Sequence, residues 1–273
     1  MTKIAVIGGG MIGTALIGGL IEGGADPQSI YVVETNADRL SQLVETYQVV
    51  DADSLDNAVD TADVIFLCVK PEQVVKVIEP VAETIDDSEG DSVVVSLAAG
   101  VTVETLENVL NVGTSVIRMM PNTPMLVGKG TVALAPGRFA TEEHVELVES
   151  LVQTVATVER VTDAQMSAVT AISGSGPAYF FQFVEAMIDA GVALGLTRQQ
   201  ASRLARSTAA GAAEMMMQPD VDPVALRAQV TSPGGTTAAA TQTFEEEGLR
   251  RAVHRALTAC YQRSVELGRK EKP

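Results

Sequence analysis

The fold is decided near the amino terminus by the stretch Lys3-Ile-Ala-Val-Ile7-Gly8-Gly9-Gly10-Met11-Ile12-Gly13. A β-branched run of strand character leads directly into glycines that fit the pattern G-x-G-x-x-G. A segment of helical length, 11–22, follows and ends at a pair of glycines. We therefore predict a strand, a tight turn and a helix in immediate succession.

The three fixed glycines of this turn have distinct physical roles. Gly8 permits the tight turn, Gly10 lets the backbone approach a pyrophosphate, and Gly13 lets the helix pack closely on the strand. The amino terminus of the helix would offer free N–H groups and a partial positive charge to the phosphates. The pattern predicts a dinucleotide site, and a tight turn that binds no ligand is the alternative.

Strand and helix patterns keep alternating after this turn. The strand runs are almost entirely apolar, which is typical of a parallel sheet covered by helices on both faces. We expect strands at 3–7, 30–33, 64–69, 92–96, 115–118 and 131–134, and helices at 11–22, 37–47, 72–85, 103–110 and 142–155. Residues 1–162 are thus predicted to form an α/β domain with a Rossmann-type, doubly wound parallel sheet.

The pattern changes near residue 163, where the strand runs stop. Ala, Met, Leu and Gln dominate the segments that follow, which predicts helices at 179–194, 198–217 and 249–268. We predict that residues 163–273 form a second, all-α domain.

The residue that follows the second expected strand is acidic. Glu34 can accept hydrogen bonds from the 2′-hydroxyl of an adenosine ribose and would repel the 2′-phosphate of NADP. Taken alone, it favours NADH over NADPH. Thr35 and Asn36 could still hydrogen-bond a phosphate, and Glu34 could be a surface residue that points elsewhere, so both cofactors stay open.

The charge is strongly acidic and unevenly distributed. The net charge is −16, from 19 basic and 35 acidic side chains, and the sequence pI is about 4.5. Nucleic acid and anionic membranes are therefore poor partners, since no basic patch is present to attract them. Residues 1–162 carry 8 basic and 24 acidic side chains, whereas residues 163–273 carry 11 of each. Because Lys is also rare, we expect a halophilic host, with an ordinary acidic cytosolic protein as the alternative.

The cysteines and the apolar runs bear on localisation. Cys68 and Cys260 lie far apart in the sequence, and buried free thiols are typical of a reducing cytosol. The chain opens without the pattern of a secretion signal, and no apolar stretch reaches the roughly 18–20 residues of a membrane span. We expect a cytoplasmic protein.

Four further segments are more specific than the glycine turn, namely Val69-Lys-Pro71, Arg118-Met-Met-Pro-Asn-Thr-Pro124, Ile172-Ser-Gly-Ser-Gly-Pro-Ala-Tyr179 and Val230-Thr-Ser-Pro-Gly-Gly-Thr-Thr237. In this order and spacing they resemble the pyrroline-5-carboxylate reductase family, and the resemblance runs from residue 3 to about residue 267. One departure is Met11, where Asn is more usual in the family. That change affects at most one cofactor contact, since the turn acts through its backbone N–H groups.

The resemblance implies an activity and an assembly. Members of the family use NADPH or NADH to reduce the cyclic imine 1-pyrroline-5-carboxylate, a small molecule, to proline. The resemblance also implies that the helical half forms a homodimer, with an active site between the nucleotide domain of one subunit and the helical domain of its partner. Many members assemble such dimers into rings.

The loop Thr231–Thr237 is the expected substrate clamp. Pro233 fixes φ, the two glycines that follow free the backbone, and a helix then opens near Ala238 with N–H groups that suit a carboxylate. By resemblance, Thr237 is the catalytic residue and hydrogen-bonds the ring nitrogen. A helix N-cap without a ligand is the alternative. The expected substrate-binding residues are Ser232, Gly234, Gly235, Thr236, Thr237 and Ser175.

Small or polar residues follow three of the expected strands at their carboxyl ends, where open α/β sheets bind ligands. Lys70 can reach a ribose or a phosphate, and the two alanines at 98–99 leave room for a nicotinamide. Asn122 and Thr123 can bind the carboxamide or the edge of the substrate. The expected cofactor-binding residues are Ile7, Gly8, Gly9, Gly10, Met11, Ile12, Gly13, Glu34, Thr35, Val69, Lys70, Pro71, Ala98, Ala99, Asn122 and Thr123.

Other chemistries are weaker matches. The sequence shows no cluster with metal-ligand spacing, so no metal is expected. The two histidines, His144 and His254, lie outside the motifs and are expected on the surface. A hydroxyacid dehydrogenase of the same two-domain build usually needs a Lys or His base in its helical half, and no such residue stands in a motif here. An imine reductase for another ring and a non-enzymatic nucleotide-sensing dimer are the remaining alternatives.

Overall fold

The chain is described by a computed structural model that covers residues 2–87 and 91–270. Over these residues one sheet of eight strands is formed. The strands are β1 (Ile4–Ile7), β2 (Ile30–Val33), β3 (Val50–Asp51), β4 (Val64–Leu67), β5 (Val93–Ser96), β6 (Ser115–Met120), β7 (Gly130–Pro136) and β8 (Ala156–Arg160).

The helices lie between these strands and after them. They are α1 (Met11–Glu22), α2 (Ala37–Tyr47), α3 (Leu55–Val59), α4 (Pro71–Ile78), α5 (Ala82–Asp87), α6 (Val103–Glu107), α7 (Glu142–Val152), α8 (Met166–Val169), α9 (Gly176–Ala193), α10 (Arg198–Met216), α11 (Pro223–Gln229), α12 (Thr236–Glu246) and α13 (Leu249–Lys270).

The spatial order of the strands is β3-β2-β1-β4-β5-β6-β7-β8. The chain therefore winds outward in both directions from β1, which confirms the doubly wound Rossmann-type sheet. The pairs from β3 to β6 are parallel, as is β7 with β8. The pair β6–β7 is antiparallel, so the expectation of a purely parallel sheet is wrong there. Its connection is only a 3-10 turn, Thr123–Val127, and a parallel return needs a longer crossover.

Alternation along β1 builds a core on each face of the sheet. Ile4 and Val6 pack in one cluster with the buried face of α1, including Leu16. Ala5 and Ile7 pack in the other cluster, which includes Val74 of α4. Because all four strand residues are buried, β1 lies at the centre of the fold and its carboxyl end is held in place from both sides.

The expected elements agree with the structure except at a few places. The strand β3, the helix α3 and the edge strand β8 were not predicted. The helix expected at 72–85 is interrupted by a 3-10 turn at Glu79–Val81, where Pro80 removes a backbone donor. The first strand begins at Ile4, and several other ends move by a few residues.

The described chain divides into two compact units, one of Met1–Ser175 with Cys260–Pro273 and the other of Gly176–Ala259. These units do not follow the predicted boundary between residues 162 and 163. The difference arises because Met166 packs in a cluster with β6 and β7, while Asp163 accepts a hydrogen bond from Arg118 of β6 at 2.8 Å. The division into a nucleotide domain 1–162 and a substrate domain 163–273 stays a prediction about function.

The second unit contains α9 to α12 and the first half of α13, and its described residues include no strand, which agrees with the all-α prediction. Gly191 of α9 lies against Ala201 of α10, where an added Cβ would stand 3.0 Å from the Ala201 methyl group. Phe183 and Phe244 contact each other with ring centroids 6.0 Å apart. These contacts hold α9 against α10 and α12.

Candidate functional site

The turn after β1 lies across the carboxyl ends of three strands. The N–H of Gly8 donates to the carbonyl of Val33 at the end of β2, at 2.8 Å. Gly8 has a φ of +103°, and a Cβ there would lie 2.8 Å from the carbonyl oxygen of Cys68, just beyond β4. Only glycine meets both requirements, because other residues rarely adopt this φ and would strike the backbone of the next strand.

The other two fixed glycines meet different surroundings. A Cβ on Gly13 would overlap the carbonyl oxygen of Gly8, so this glycine lets α1 pack directly on the turn. A Cβ on Gly10 would meet no heavy atom of the described residues within 4 Å. Gly10 is the N-cap of α1, and none of the described side chains caps that helix end. The first N–H groups of α1 are therefore directed outward from the turn, as an anion site requires.

Glu34 is directed toward the glycine turn, so the alternative that it is a surface residue pointing elsewhere is wrong. Its carboxylate accepts hydrogen bonds from the N–H groups of Gly9 and Asn36, each at 2.9 Å, and from the guanidinium of Arg39 at 3.1 Å. Its side chain is only 7% exposed. Burial alone would raise the pKa of Glu34, but the hydrogen bonds from Asn36, Arg39 and Gly9 together lower it. The structure thus holds a carboxylate beside the glycine turn at the end of β2.

The two residues that follow Glu34 in the sequence, Thr35 and Asn36, make other hydrogen bonds. The side-chain oxygen of Asn36 accepts from the N–H of Arg39 at 2.9 Å and caps α2. Thr35 is exposed and its hydroxyl donates to Glu34 at 3.4 Å. A phosphate at this position would therefore meet a hydroxyl, a cation and a buried carboxylate together.

The residues expected beside a nicotinamide follow β4 and β5. Lys70 is exposed and is the N-cap of α4. Ala98 is 3% exposed, and its N–H donates to the hydroxyl of Ser96 at 3.4 Å. Because β1, β4 and β5 are adjacent and parallel, these residues share one edge of the sheet with the glycine turn.

The side chain of Asn122 makes two hydrogen bonds that the sequence did not predict. Its amide NH2 donates to the carbonyl of Ser173 at 3.1 Å, and its amide oxygen accepts from the N–H of Thr131 at 2.8 Å. Asn122 therefore ties β7 to the segment that precedes α9, while Thr123 is exposed. The assignment of these two residues to the cofactor stays a prediction.

Ser175 follows a π-helical turn, Thr170–Gly174. Its N–H donates to the carbonyl of Thr170 at 2.8 Å, and its hydroxyl accepts from the thiol of Cys260 at 3.4 Å. Such turns occur frequently at functional sites. The Ser-Gly-Ser-Gly run was the available signal, and from it Ser175 is expected to bind the substrate.

The loop expected to clamp the substrate lies in the second unit. Gly234 has a φ of +69°, and Gly235 is the N-cap of α12, with its N–H donating to the carbonyl of Ser232 at 3.0 Å. The helix begins at Thr236, two residues before the expected start, and presents the first backbone N–H groups of an 11-residue helix.

Thr237 differs from the later threonines of α12. The hydroxyls of Thr241 and Thr243 donate to backbone carbonyls one turn earlier, at 2.9 and 3.1 Å. Within the described part of the chain, the hydroxyl of Thr237 has no hydrogen-bond partner. It is therefore available to bond a ligand.

Arg118 and His144 of the first unit are also buried. Arg118 is 3% exposed, and its Nε has no partner among the described residues. The surface position expected for His144 is wrong, because this residue is 5% exposed and accepts from the N–H of Thr141 in the cap of α7 at 3.1 Å. Its Nε2 also lies 3.2 Å from the carboxylate of Asp91. His254 is exposed, as expected.

The described residues contain neither a cluster of metal ligands nor a membrane-spanning helix. Within 2–87 and 91–270, no group of three or more His, Cys, Asp and Glu side chains is arranged to hold a metal ion. None of the helices described there has the length and apolarity needed to cross a bilayer. Cys68 and Cys260 are both free thiols, and burial raises the pKa of Cys68 to about 12.

Comparison with known proteins identifies relatives over the full chain. Residues 163–267 match a family model described as pyrroline-5-carboxylate reductase dimerisation, and residues 3–100 match one described as NADP oxidoreductase, coenzyme F420-dependent. The pyrroline-5-carboxylate reductase of Corynebacterium melassecola is 47% identical over 98% of this chain and 100% of its own length.

Two solved structures extend the comparison to the fold. A pyrroline-5-carboxylate reductase from Coxiella burnetii is 37% identical, covers 97% of this chain and 98% of its own, and has a TM-score of 0.92. The Plasmodium falciparum pyrroline carboxylate reductase, solved with NADP bound, is 25% identical, covers 98% of both chains and has a TM-score of 0.86.

The different surroundings of Gly10 and Gly13 give a testable contrast. The variant Gly10→Ala should lower the free energy of unfolding without cofactor by no more than about 1 kcal/mol, the usual cost of alanine at an N-cap. Its Kd for NADH should nevertheless rise at least about tenfold, because the added methyl group occupies the approach of the pyrophosphate. Gly13→Ala should lower the melting temperature, since its Cβ overlaps the carbonyl oxygen of Gly8. Thermal unfolding and fluorescence titration measure both effects, and unchanged NADH affinity in Gly10→Ala would contradict the assignment.

Proposed function

The chain belongs to the pyrroline-5-carboxylate reductase family and reduces 1-pyrroline-5-carboxylate to proline, and we propose that it does so by hydride transfer from NADH to the iminium carbon. The observation that carries this conclusion is the match to reductases of this name over both halves of the chain. The glycine turn and the Ser232–Thr237 loop are the two places where the geometry supports the residue roles proposed below.

The reaction needs little general acid–base catalysis from the protein. A ring imine protonates near neutral pH, and the iminium that results is already a good hydride acceptor. The protein must therefore position the substrate, hold its carboxylate and exclude water, while a bound nicotinamide supplies the hydride. We assign no residue of this chain to the role of a strong acid.

The substrate carboxylate is assigned to the amino terminus of α12. Ser232, Gly234 and Gly235 shape the loop there, and the free N–H groups of the first helical turn favour an anion. The hydroxyl of Thr237 is assigned to the ring nitrogen, and its lack of a partner among the described residues supports that role. Thr236 and Ser175 complete the proposed substrate set.

NADH is the proposed cofactor because of the carboxylate at Glu34. The hydrogen bonds that lower its pKa keep it ionised at neutral pH, beside the turn that would hold the pyrophosphate. An ionised carboxylate accepts from a ribose 2′-hydroxyl and repels a 2′-phosphate. NADPH is the second candidate, since a solved relative binds NADP and Arg39 stands next to Glu34.

The working unit is proposed to be a homodimer formed through the helical residues, and rings of such dimers are the larger assembly that the family resemblance implies. Residues 163–267 match the dimerisation model of the family. Large apolar side chains are exposed on these helices in the single chain, which is typical of a surface that pairs with another copy. They include Phe180, Phe181, Phe183, Leu204, Met215 and Met216.

We place the reaction in the cytoplasm, the reducing compartment that keeps Cys68 and Cys260 as free thiols. We propose a halophilic host to explain the acidic composition. The excess negative charge lies in residues 1–162, the part that is expected to bind an anion, so attraction of that ligand does not explain the charge.

The role of Thr237 can be tested by removing its hydroxyl. Thr237→Ala should lower kcat about ten- to a hundredfold, because a hydrogen bond to a charged group is worth about 1.5–3 kcal/mol. Thr237→Ser should retain most of the activity, and the Kd for NADH should change in neither variant. Thr243→Ala is the matched control on the same helix, since the hydroxyl of Thr243 bonds only the helix backbone.

The same assay separates the competing substrates. We expect a higher kcat/KM with the five-membered 1-pyrroline-5-carboxylate than with its six-membered analogue. A preference for the larger ring would favour an imine reductase for another ring, and binding of NAD(P)H without any turnover would favour a nucleotide-sensing dimer. Unchanged turnover in Thr237→Ala would remove the proposed role of its hydroxyl.

The cofactor preference can be tested at Glu34. The wild type should show a higher kcat/KM with NADH than with NADPH, and Glu34→Gln should lower that ratio at least about tenfold, since it removes the charge and keeps the shape. Glu45→Gln, on the exposed surface of α2, is the control and should leave the ratio unchanged. A wild type that uses NADPH as well as NADH would overturn the proposal.

The acidic composition predicts an unusual salt response. Repulsion between the domain and the anionic cofactor is long-ranged, whereas the N–H groups of the glycine turn act at contact. Raising KCl from about 0.1 M to about 1 M shortens the screening length from about 10 Å to about 3 Å, so the Kd for NADH should stay constant or fall. Fluorescence titration measures it, and a steep loss of affinity would count against both this account and a halophilic host.

A further inference from the structure

The backbone near the carboxyl end of α13 contacts the backbone of the turn that follows β5. Gly268 lies near the carboxyl end of α13 and faces Gly100, which is buried and has a φ of +87°. A Cβ on Gly268 would lie 2.9 Å from the carbonyl oxygen of Gly100, and one on Gly100 would lie 3.3 Å from the nitrogen of Gly268. An added side chain at position 268 would therefore force the helix and the turn apart.

Glycine at position 268 is explained by this contact and not by the helix. Glycine destabilises a helix relative to alanine, and the conformation at 268 is helical and open to any residue. The atom that a side chain would strike is a backbone oxygen, which cannot rotate away as the end of a flexible side chain does. Glycine at position 268 therefore allows α13 and the turn at Gly100 to approach each other closely, although it destabilises the helix.

Two further contacts lie along the same face of α13. Ser264 is buried, and its hydroxyl donates to the hydroxyl of Ser167 at 3.2 Å. The thiol of Cys260 donates to the hydroxyl of Ser175 at 3.4 Å. Residues 260, 264 and 268 are spaced by four and share one helix face. That face holds the last turns of α13 within the first unit, so the position of Gly268 is determined at several points.

The turn that Gly268 contacts is the one proposed to receive the nicotinamide. Ala98 is buried beneath it, and Ala99 packs in a cluster with Met120 and Ala133 of the neighbouring strands. The sheet thus supports one side of the turn and α13 supports the other. Moving Gly100 would move the two alanines that precede it.

We propose that Gly268 is a positioning residue for hydride transfer, whose contact with Gly100 fixes the Ala98–Gly100 turn and thereby the placement of the nicotinamide. Gly268 itself bonds neither cofactor nor substrate in this account. The inference rests on the proposed function, because the place of the nicotinamide beside Ala98 and Ala99 is an expectation from the sequence.

The test is Gly268→Ala, assayed with 1-pyrroline-5-carboxylate and NADH. We expect kcat to fall at least about tenfold while the KM for NADH stays within about threefold, since small misplacement of reacting atoms affects the chemical step far more than binding. The primary deuterium isotope effect on kcat, measured with NADH deuterated at the transferred position, should rise because hydride transfer becomes more rate-limiting. Gly18→Ala is the matched control, as an added Cβ on this α1 glycine would make only an ordinary van der Waals contact, 3.4 Å from the side chain of Tyr47.

Loss of folded enzyme is distinguishable from misplacement. A smaller fraction of active enzyme lowers kcat but leaves the isotope effect unchanged, so a lower kcat with an unchanged isotope effect would overturn the proposal. An active wild type with undiminished kcat in Gly268→Ala would overturn it as well, while leaving the proposed function intact. A wild type without activity on 1-pyrroline-5-carboxylate would instead remove the proposed function and, with it, the premise of this inference.

Discussion

The structure depends first on how closely α1 approaches the end of β1. Gly8 is confined between the carbonyl of Val33, which accepts its N–H, and the carbonyl of Cys68, which leaves no room for a Cβ. Gly13 then brings α1 down onto Gly8 itself. Because β1 is the strand from which the sheet winds in both directions, these contacts place the amino terminus of α1 at the edge where β2 and β4 also end. The uncapped N–H groups at that edge are therefore positioned by backbone geometry before any side chain contributes.

Glu34 adds a largely buried carboxylate at this edge, beside the uncapped amino terminus of α1. Burial favours the neutral acid, yet the N–H groups of Asn36 and Gly9 and the guanidinium of Arg39 lower its pKa. A carboxylate whose pKa is lowered on folding stabilises the folded state at neutral pH and loses that contribution as the pH falls through its folded-state pKa. The same carboxylate therefore stabilises the turn at neutral pH. Under the proposed function it also discriminates between riboses, while fixed N–H groups that are independent of net charge attract the phosphates.

The sequence predicted the features that local patterns encode and missed those that depend on distant partners. Apolar runs of strand length and the glycine spacing were sufficient for β1, α1 and the doubly wound sheet, because their determinants lie within one stretch of chain. The reversal at β7 depends on the length of one connection, and the burial of His144 depends on a carbonyl and a carboxylate at Asp91, far from it in sequence. The side chain of Asn122 was interpreted as a ligand contact, because its hydrogen bonds to Thr131 and Ser173 have no signature in its own motif.

The same reasoning explains why the last helix was hard to interpret. Its contact face carries Cys260, Ser264 and Gly268, small residues of which only Cys260 contributes to a hydrophobic pattern. An apolar stripe predicts a buried face. Close approach of two backbones requires residues with little or no side chain, and such residues produce no periodic signal in a hydropathy scale. The division of the chain at residue 163 follows composition, whereas the compact units follow contacts, and residues 260–270 return to the unit that holds the glycine turn. The second half of α13 is therefore as much a part of that compact unit as β1 is.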